Sequence, residues 1–200
     1  QDLLEAVYAS GRPTVLVLLN GRALSLVWAD EHIPAILEAW EPGMLGGQAV
    51  AEILFGDVNP SGKLPVTVPY SVGQVPTVYN HKHSQYSRQF ALTHTGPLYP
   101  FGFGLSYTTF EYGDPSVSRD EISAGESVDV SFKLSNTGAV DGTEIVQLYI
   151  RDEYGSVTRP VKELKAFRRV DLKAGESADV SFTVTPDMFK CLSASGEWLV

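Results

Sequence analysis

Cysteine is almost absent. Cys191 stands alone among 200 residues, so no disulfide can close within the chain. Cations are scarce too: 15 Lys and Arg face 24 Asp and Glu, for a net charge of −9. Nucleic acid and anionic membranes repel such a surplus of carboxylates and are poor partners. No apolar run approaches the roughly 18 residues of a membrane-spanning helix. No Asn-x-Ser/Thr acceptor occurs, since Asn136-Thr137-Gly138 breaks the pattern. The first residues, Gln1-Asp2-Leu3-Leu4-Glu5-Ala6-Val7, lack the basic start and apolar stretch of a signal peptide. What remains is an ordinary globular composition, 44% hydrophobic and 20% charged, long enough to bury a core.

Two rhythms divide the chain. Gln1 to Val7 reads as an amphipathic helix with Leu3, Leu4 and Val7 on one face, and an opening within a helix suggests part of a longer protein. Pro13 to Leu19 is a continuous apolar run, the pattern of a strand covered on both faces in a parallel sheet. Asn20-Gly21 ends it with a turn dipeptide. Ile33 to Trp40 reads as a further strand. A helix follows from about Leu45 to Phe55, with Leu45, Ala49, Val50, Ile53 and Leu54 on one face and Gly56 as its C-cap. Strands alternating with helices predict an α/β layer.

Residues 57–110 are dense in Pro, Gly, Asn and Tyr, which argues against long regular elements. Aromatics such as Tyr79, Phe101 and Tyr107 give this stretch apolar surface to bury, so an ordered wrap is expected. Beyond Phe110 the pattern changes to period two: Ser127 to Leu134, Glu144 to Ile150, Lys162 to Val170 and Ser177 to Val184. Short alternating strands separated by turn signals predict a β-sandwich. Ala124-Gly125-Glu126-Ser127 is echoed fifty residues on by Ala174-Gly175-Glu176-Ser177. Two copies are too few for a solenoid and read as equivalent turn-and-strand pairs. The expected fold class is therefore α/β plus all-β, with residues 1–109 forming the α/β part with its wrap and 110–200 the sandwich.

Candidate chemistry is sparse. Gly56 to Leu64 has the outline of a phosphate loop, but five residues separate Gly56 from Gly62 where four are required. Leu64 stands where a magnesium-binding hydroxyl belongs, and the segment follows a helix. Gly102-Phe103-Gly104 follows no strand, so dinucleotide binding is equally unsupported. Ser106 lacks the second glycine of a nucleophile elbow, because Thr108 takes that place. His81 and His83 share one side of an extended segment, but no spacing supplies the further ligands of a zinc site. Tyr79, Asn80, His81, Lys82, Tyr86 and Arg88 combine aromatic faces with polar ends, the materials of a sugar site; a packed surface loop uses the same materials. Glu38 and Glu41 flank Trp40 and are the nearest candidates for an acid/base pair, against the plainer reading of solvated charges at a strand end. Trp28, Trp40 and Trp198 serve either as core or as sugar platforms, and Trp40 closes a strand expected to be parallel, where α/β sheets bind ligands.

Several strings together resemble glycoside hydrolase family 3. They are Ala35-Ile36-Leu37-Glu38-Ala39-Trp40-Glu41-Pro42-Gly43 with Gly46-Gly47, and the segment from Leu54 to Pro65. Leu98 to Phe110, Arg159 to Phe167 and Val75 to Lys82 extend the match, the last being similar to a stretch of periplasmic bacterial β-glucosidases. The resemblance runs the length of the chain in the family's order. It implies a C-terminal part of an α/β sandwich domain followed by a fibronectin type III-like domain lacking its last strand. It further implies a retaining, exo-acting β-glucosidase in a periplasmic or secreted protein; the alternatives are a β-xylosidase or related exo-glycosidase of the same family, or a non-catalytic carbohydrate-binding or interaction module. Nucleophile and acid/base would lie upstream, on an N-terminal barrel and on a loop before Gln1, so no catalytic residue is assigned within the chain. No metal or organic cofactor is implied. The substrate would be a β-linked oligosaccharide or aryl glucoside, with Tyr79, Asn80, His81, Lys82 and Arg88 as rim contacts.

Overall fold

The structure of the protein, a computed structural model, describes residues 1–74, 76–82 and 94–200. These form two compact units. The first gathers described residues of 1–58, 64–79 and 94–103, the second those of 59–63, 80–82 and 104–200.

In the first unit β1 (Val15–Leu18) and β2 (Ala35–Glu38) pair in parallel, Val15 against Ala35 and Leu18 against Glu38. Both strands are shorter than their apolar runs, because Pro13 and Pro34 cannot donate to a ladder. Ile33 is buried, yet it caps a helix instead of entering the strand. That helix, α2 (Val27–His32), is not announced by any helical run in the sequence, but parallel strands need a crossover and α2 supplies it. Trp28 and His32, four residues apart, stack at 4.4 Å. Tyr8 of α1 (Asp2–Ala9) meets both edge-on, at 5.7 and 5.5 Å.

Helix α3 (Gly46–Phe55) stops at Gly56, whose φ of +83° is the left-handed C-cap expected there. Its expected core-facing stripe is only partly covered: Val50 and Ile53 are half-buried, while Leu45 and Leu54 are exposed. Two strands about 5 Å apart are too narrow to cover the whole stripe. The wrap is ordered where described. Val68 and Tyr99 bridge, with Val68 N–H donating to the Tyr99 carbonyl at 2.9 Å, and Leu64 and Phe103 do the same at 2.8 Å. Buried Gln74 accepts from the Tyr70 N–H at 2.6 Å and donates to the His94 and Gly96 carbonyls, closing the turn through its side chain.

The second unit is a two-sheet sandwich. β5 (Val128–Asn136) pairs antiparallel with β3 (Phe110–Tyr112), β4 (Ser116–Val117) and β8 (Ser177–Val184). β6 (Gly142–Ile150) pairs with β7 (Glu163–Leu172), with a bulge between Leu148 and Tyr149. α4 (Pro186–Phe189) and the short strands β9 (Cys191–Leu192) and β10 (Trp198–Leu199) follow. The core lies between the sheets, where Leu134, Val180 and Phe182 of one meet Val146 and Leu172 of the other. The sequence echo is a structural equivalence. Gly125 and Gly175 take φ of +93° and +76°, and each following glutamate accepts from the N–H three residues before it, Ser123 at 2.9 Å and Lys173 at 2.8 Å. The two strands so launched, β5 and β8, pair with each other from Val128–Val184 to Ser135–Ser177.

Candidate functional site

The sharpest local geometry lies just beyond β2. Trp40 has φ of +52°, the one non-glycine residue in the left-handed region among the described residues. A side chain as bulky as tryptophan is strained there, and such strain persists only where surrounding bonds impose it. Those bonds are visible. Asn20 N–H donates to the Trp40 carbonyl at 3.1 Å, and Trp40 N–H donates to Glu38 Oε1 at 3.1 Å. Asn20 Nδ2 donates to both Glu38 oxygens, at 3.1 and 3.2 Å, while Asn20 Oδ1 accepts from the Arg22 N–H at 3.1 Å. Glu38 is therefore not a solvated charge. It is a half-buried brace that joins the ends of both parallel strands. The Asn20-Gly21 dipeptide marked the turn, but nothing in the sequence pointed to its pairing with Glu38.

This braced turn borders a cleft of about 490 Å³ at the C-terminal ends of β1 and β2, lined by Leu19, Asn20, Trp40, Glu41, Pro42 and the start of α3. Glu41 is exposed, and among the described residues its carboxylate makes no hydrogen bond or ion pair.

The aromatic–polar segment is divided between the units. Tyr79, in the first, stacks on Phe101 at 4.1 Å. Asn80, in the second, is exposed. The His81 carbonyl accepts from the Val161 N–H at 2.9 Å, Lys82 bridges Pro160, and the Lys82 ammonium donates to the Thr158 carbonyl. His81 and Lys82 thus add a short edge to the sandwich unit. Arg88, Tyr86 and His83 lie outside the described residues. Among the described residues no cluster of three or more His, Cys, Asp or Glu could hold a metal ion.

The second unit has its own cleft, of about 580 Å³, and it contains carboxylates. Arg159 lies between two of them, its Nε 3.3 Å from Asp152 Oδ2 and its Nη2 donating to Glu163 Oε2 at 2.9 Å. Lys165 adds a contact to Glu163 at 3.5 Å. The guanidinium thus bridges the two acids.

Asn59 and Lys63, from the segment with the false outline of a phosphate loop, are fully used in holding the sandwich unit. Asn59 Oδ1 accepts from Ser106 Oγ and the Tyr107 N–H, both at 2.8 Å, and its Nδ2 donates to the Asp141 carbonyl at 3.0 Å. Lys63 Nζ lies 3.1 Å from Glu144 Oε1 and donates to the Gly104 carbonyl at 3.1 Å.

Comparison with known proteins agrees with this two-part architecture. Residues 1–107 match the model of the glycosyl hydrolase family 3 C-terminal domain, and residues 144–200 that of a fibronectin type III-like domain. A β-xylosidase of Formosa agariphila is 46% identical over 196 residues, covering 96% of this chain and 27% of that protein. A periplasmic β-glucosidase of Salmonella typhimurium is 44% identical over 200 residues, covering 95% and 26%. Among solved structures, a β-glucosidase from Erythrobacter marinus superposes with a TM-score of 0.96 at 48% identity, over all of this chain and 26% of that one. A β-glucosidase from Listeria innocua in complex with glucose gives 0.91 at 36% identity, over 99% and 29%. The chain spans about a quarter of the length of the curated relatives it matches.

Proposed function

Since the chain belongs to glycoside hydrolase family 3, we propose that it is the C-terminal part of a retaining, exo-acting β-glucosidase that releases terminal non-reducing β-D-glucosyl residues. The observation carrying this reading is that Glu38, Asp152 and Glu163 are already engaged, which leaves Glu41 in the strand-end cleft without a free Glu38 to pair with. A retaining pair stands about 5–5.5 Å apart across an open sugar site. Here Glu38 is taken by Asn20 and the Trp40 N–H, and Asp152 and Glu163 are taken by Arg159. The bond-breaking acids would come from an N-terminal barrel and from the loop preceding α1, and this chain would support them.

In this reading residues 1–109 and 110–200 are the two domains, the protein is periplasmic or secreted, and the substrate is a β-linked oligosaccharide or aryl glucoside. Tyr79, Asn80, His81, Lys82 and Arg88 form the rim. The exposure of Asn80 supports that role, with His81 and Lys82 anchoring the segment through Val161 and Thr158. A β-xylosidase is the second reading, favoured by the 46% identity to the Formosa agariphila enzyme.

Chromogenic β-glucoside and β-xyloside decide between these. The 200-residue chain alone turns over neither, while a protein joining it to the upstream barrel hydrolyses one with retention of anomeric configuration, read by proton NMR. Turnover by the chain alone, lost in Glu41→Gln, would overturn the proposal.

A further inference from the structure

The three tryptophans have different surroundings. The indole of Trp28 is stacked on His32 and met edge-on by Tyr8, so its faces serve packing. Trp198 lies exposed on the two-residue strand β10. Trp40 is half-buried, lines the strand-end cleft, and among the described residues has no aromatic ring stacked on it.

We propose that the cleft at the C-terminal ends of β1 and β2 binds one pyranose ring of a neutral β-linked sugar, with the Trp40 indole as stacking face and the Glu41 carboxylate as hydroxyl acceptor. The position is the one where open α/β sheets take ligands, outside the carboxyl ends of parallel strands. The volume, about 490 Å³, is that of a small-molecule site. The lining is mainly apolar, from Val17, Leu19, Pro42 and Val50, with few polar groups. Asn20 spends its side chain on Glu38 and on the Arg22 N–H. That leaves Glu41, which lies beside the turn, as the acceptor, and a carboxylate can take two neighbouring hydroxyls at once.

The backbone supports the assignment. Two hydrogen bonds, one with Asn20 and one with Glu38, hold Trp40 at a φ that its side chain disfavours, and two more tie Asn20 to Glu38. Buried core tryptophans need no such arrangement, and backbone strain of this kind gathers where a side chain must be aimed. An acidic chain with an unpaired glutamate in the cleft disfavours anions. The choice of a sugar rests on the glycosidase reading; the location does not.

The test is titration of the 200-residue chain with methyl β-D-glucopyranoside and with cellobiose, followed by the three indole N–H resonances in ¹⁵N-resolved NMR. Only the Trp40 indole shifts saturably. Trp40→Phe retains binding within about threefold, and Trp40→Asn, chosen because asparagine tolerates the left-handed region, weakens it at least tenfold with an unchanged circular dichroism spectrum. Glu41→Gln weakens it by a lesser factor. No saturable shift, a shift at Trp28 or Trp198 instead, or equal binding by Trp40→Asn would each overturn the assignment. Should the Asn variant unfold, the resonance shift alone decides. Hydrolysis by the barrel-joined protein without binding here sinks this inference only; binding here without such hydrolysis sinks only the proposed function.

Discussion

Lys63 and Glu144 form an ion pair inside the sandwich unit, Nζ to Oε1 at 3.1 Å, with side chains only 16% and 10% exposed. Tyr112 donates to the same Glu144 oxygen at 2.9 Å, Lys63 also reaches the second oxygen at 3.2 Å, and the Gly104 carbonyl takes another Lys63 proton. The group is satisfied as a unit, so its members depend on one another.

Removing one partner should therefore cost more than removing both. Lys63→Met leaves Glu144 buried with a tyrosine alone, and about 3 kcal/mol of stability should be lost. Adding Glu144→Leu removes the stranded charge and should recover a substantial part of that loss. Urea denaturation of the two variants and the parent checks the order. Equal losses in single and double variants would show the pair to be solvated.

The same group predicts a decline in alkali. Burial first, and then the neighbouring Glu144 carboxylate, push the Tyr112 phenol above tyrosine's ordinary range. Tyr99, in the first unit, is raised likewise by burial and by its hydrogen bond to Asp30. Above about pH 10 the unfolded chain releases phenolic protons that the folded chain retains, so stability falls as pH rises. Below that pH the contribution is fully present. Melting temperatures between pH 8 and 11.5 should drop more steeply for the parent than for Tyr112→Phe, which has no proton there to lose. Because Tyr112 is half exposed, the difference in slope will be modest.

How much of this was legible in the residues follows from the range of each signal. Period-two alternation located β5 to β8 within two residues at either end, since alternation and strand pairing are one phenomenon. Gly56, Gly125 and Gly175 mark left-handed positions that few other residues take. The helix α2 escapes a sequence reading because six residues, three apolar followed by three polar, carry little periodicity; only the Trp28–His32 spacing of four hints at it. Tertiary partners were beyond reach. Nothing local says that Glu38 answers Asn20, that Arg159 answers Asp152 and Glu163, or that Asn59 and Lys63 brace the sandwich unit.

Close backbone approach makes a third test. A Cβ at Gly104 would run into the Gly62 carbonyl oxygen, with Lys63 Cδ 3.1 Å away. Backbone cannot yield as a flexible side chain does, so Gly104→Ala should destabilise by about 3 kcal/mol. Gly47→Ala in α3 meets nothing within 4 Å and should be neutral or slightly stabilising, as alanine is the better helix former. Thermal melts of the pair separate the steric effect from a generic glycine effect.

The fourth test separates bracing from catalysis at Glu38. A brace is judged by its acceptors: the Trp40 N–H needs one oxygen and the Asn20 amide needs another. Glu38→Gln keeps one acceptor and loses the charge, and should cost about 1 kcal/mol. Glu38→Ala leaves the Trp40 N–H and the Asn20 amide unanswered at a strained turn, and should cost about 3 kcal/mol. Both losses appear in urea denaturation of the 200-residue chain, where no turnover is needed to read them. A barrel-joined protein carrying Glu38→Gln should keep its kcat on chromogenic β-glucoside within about twofold, because a structural carboxylate touches no reacting atom. A fall of a hundredfold or more with unchanged stability would instead place Glu38 at the scissile bond, for a general acid contributes about 10²–10⁴ in rate and none of that acts through folding.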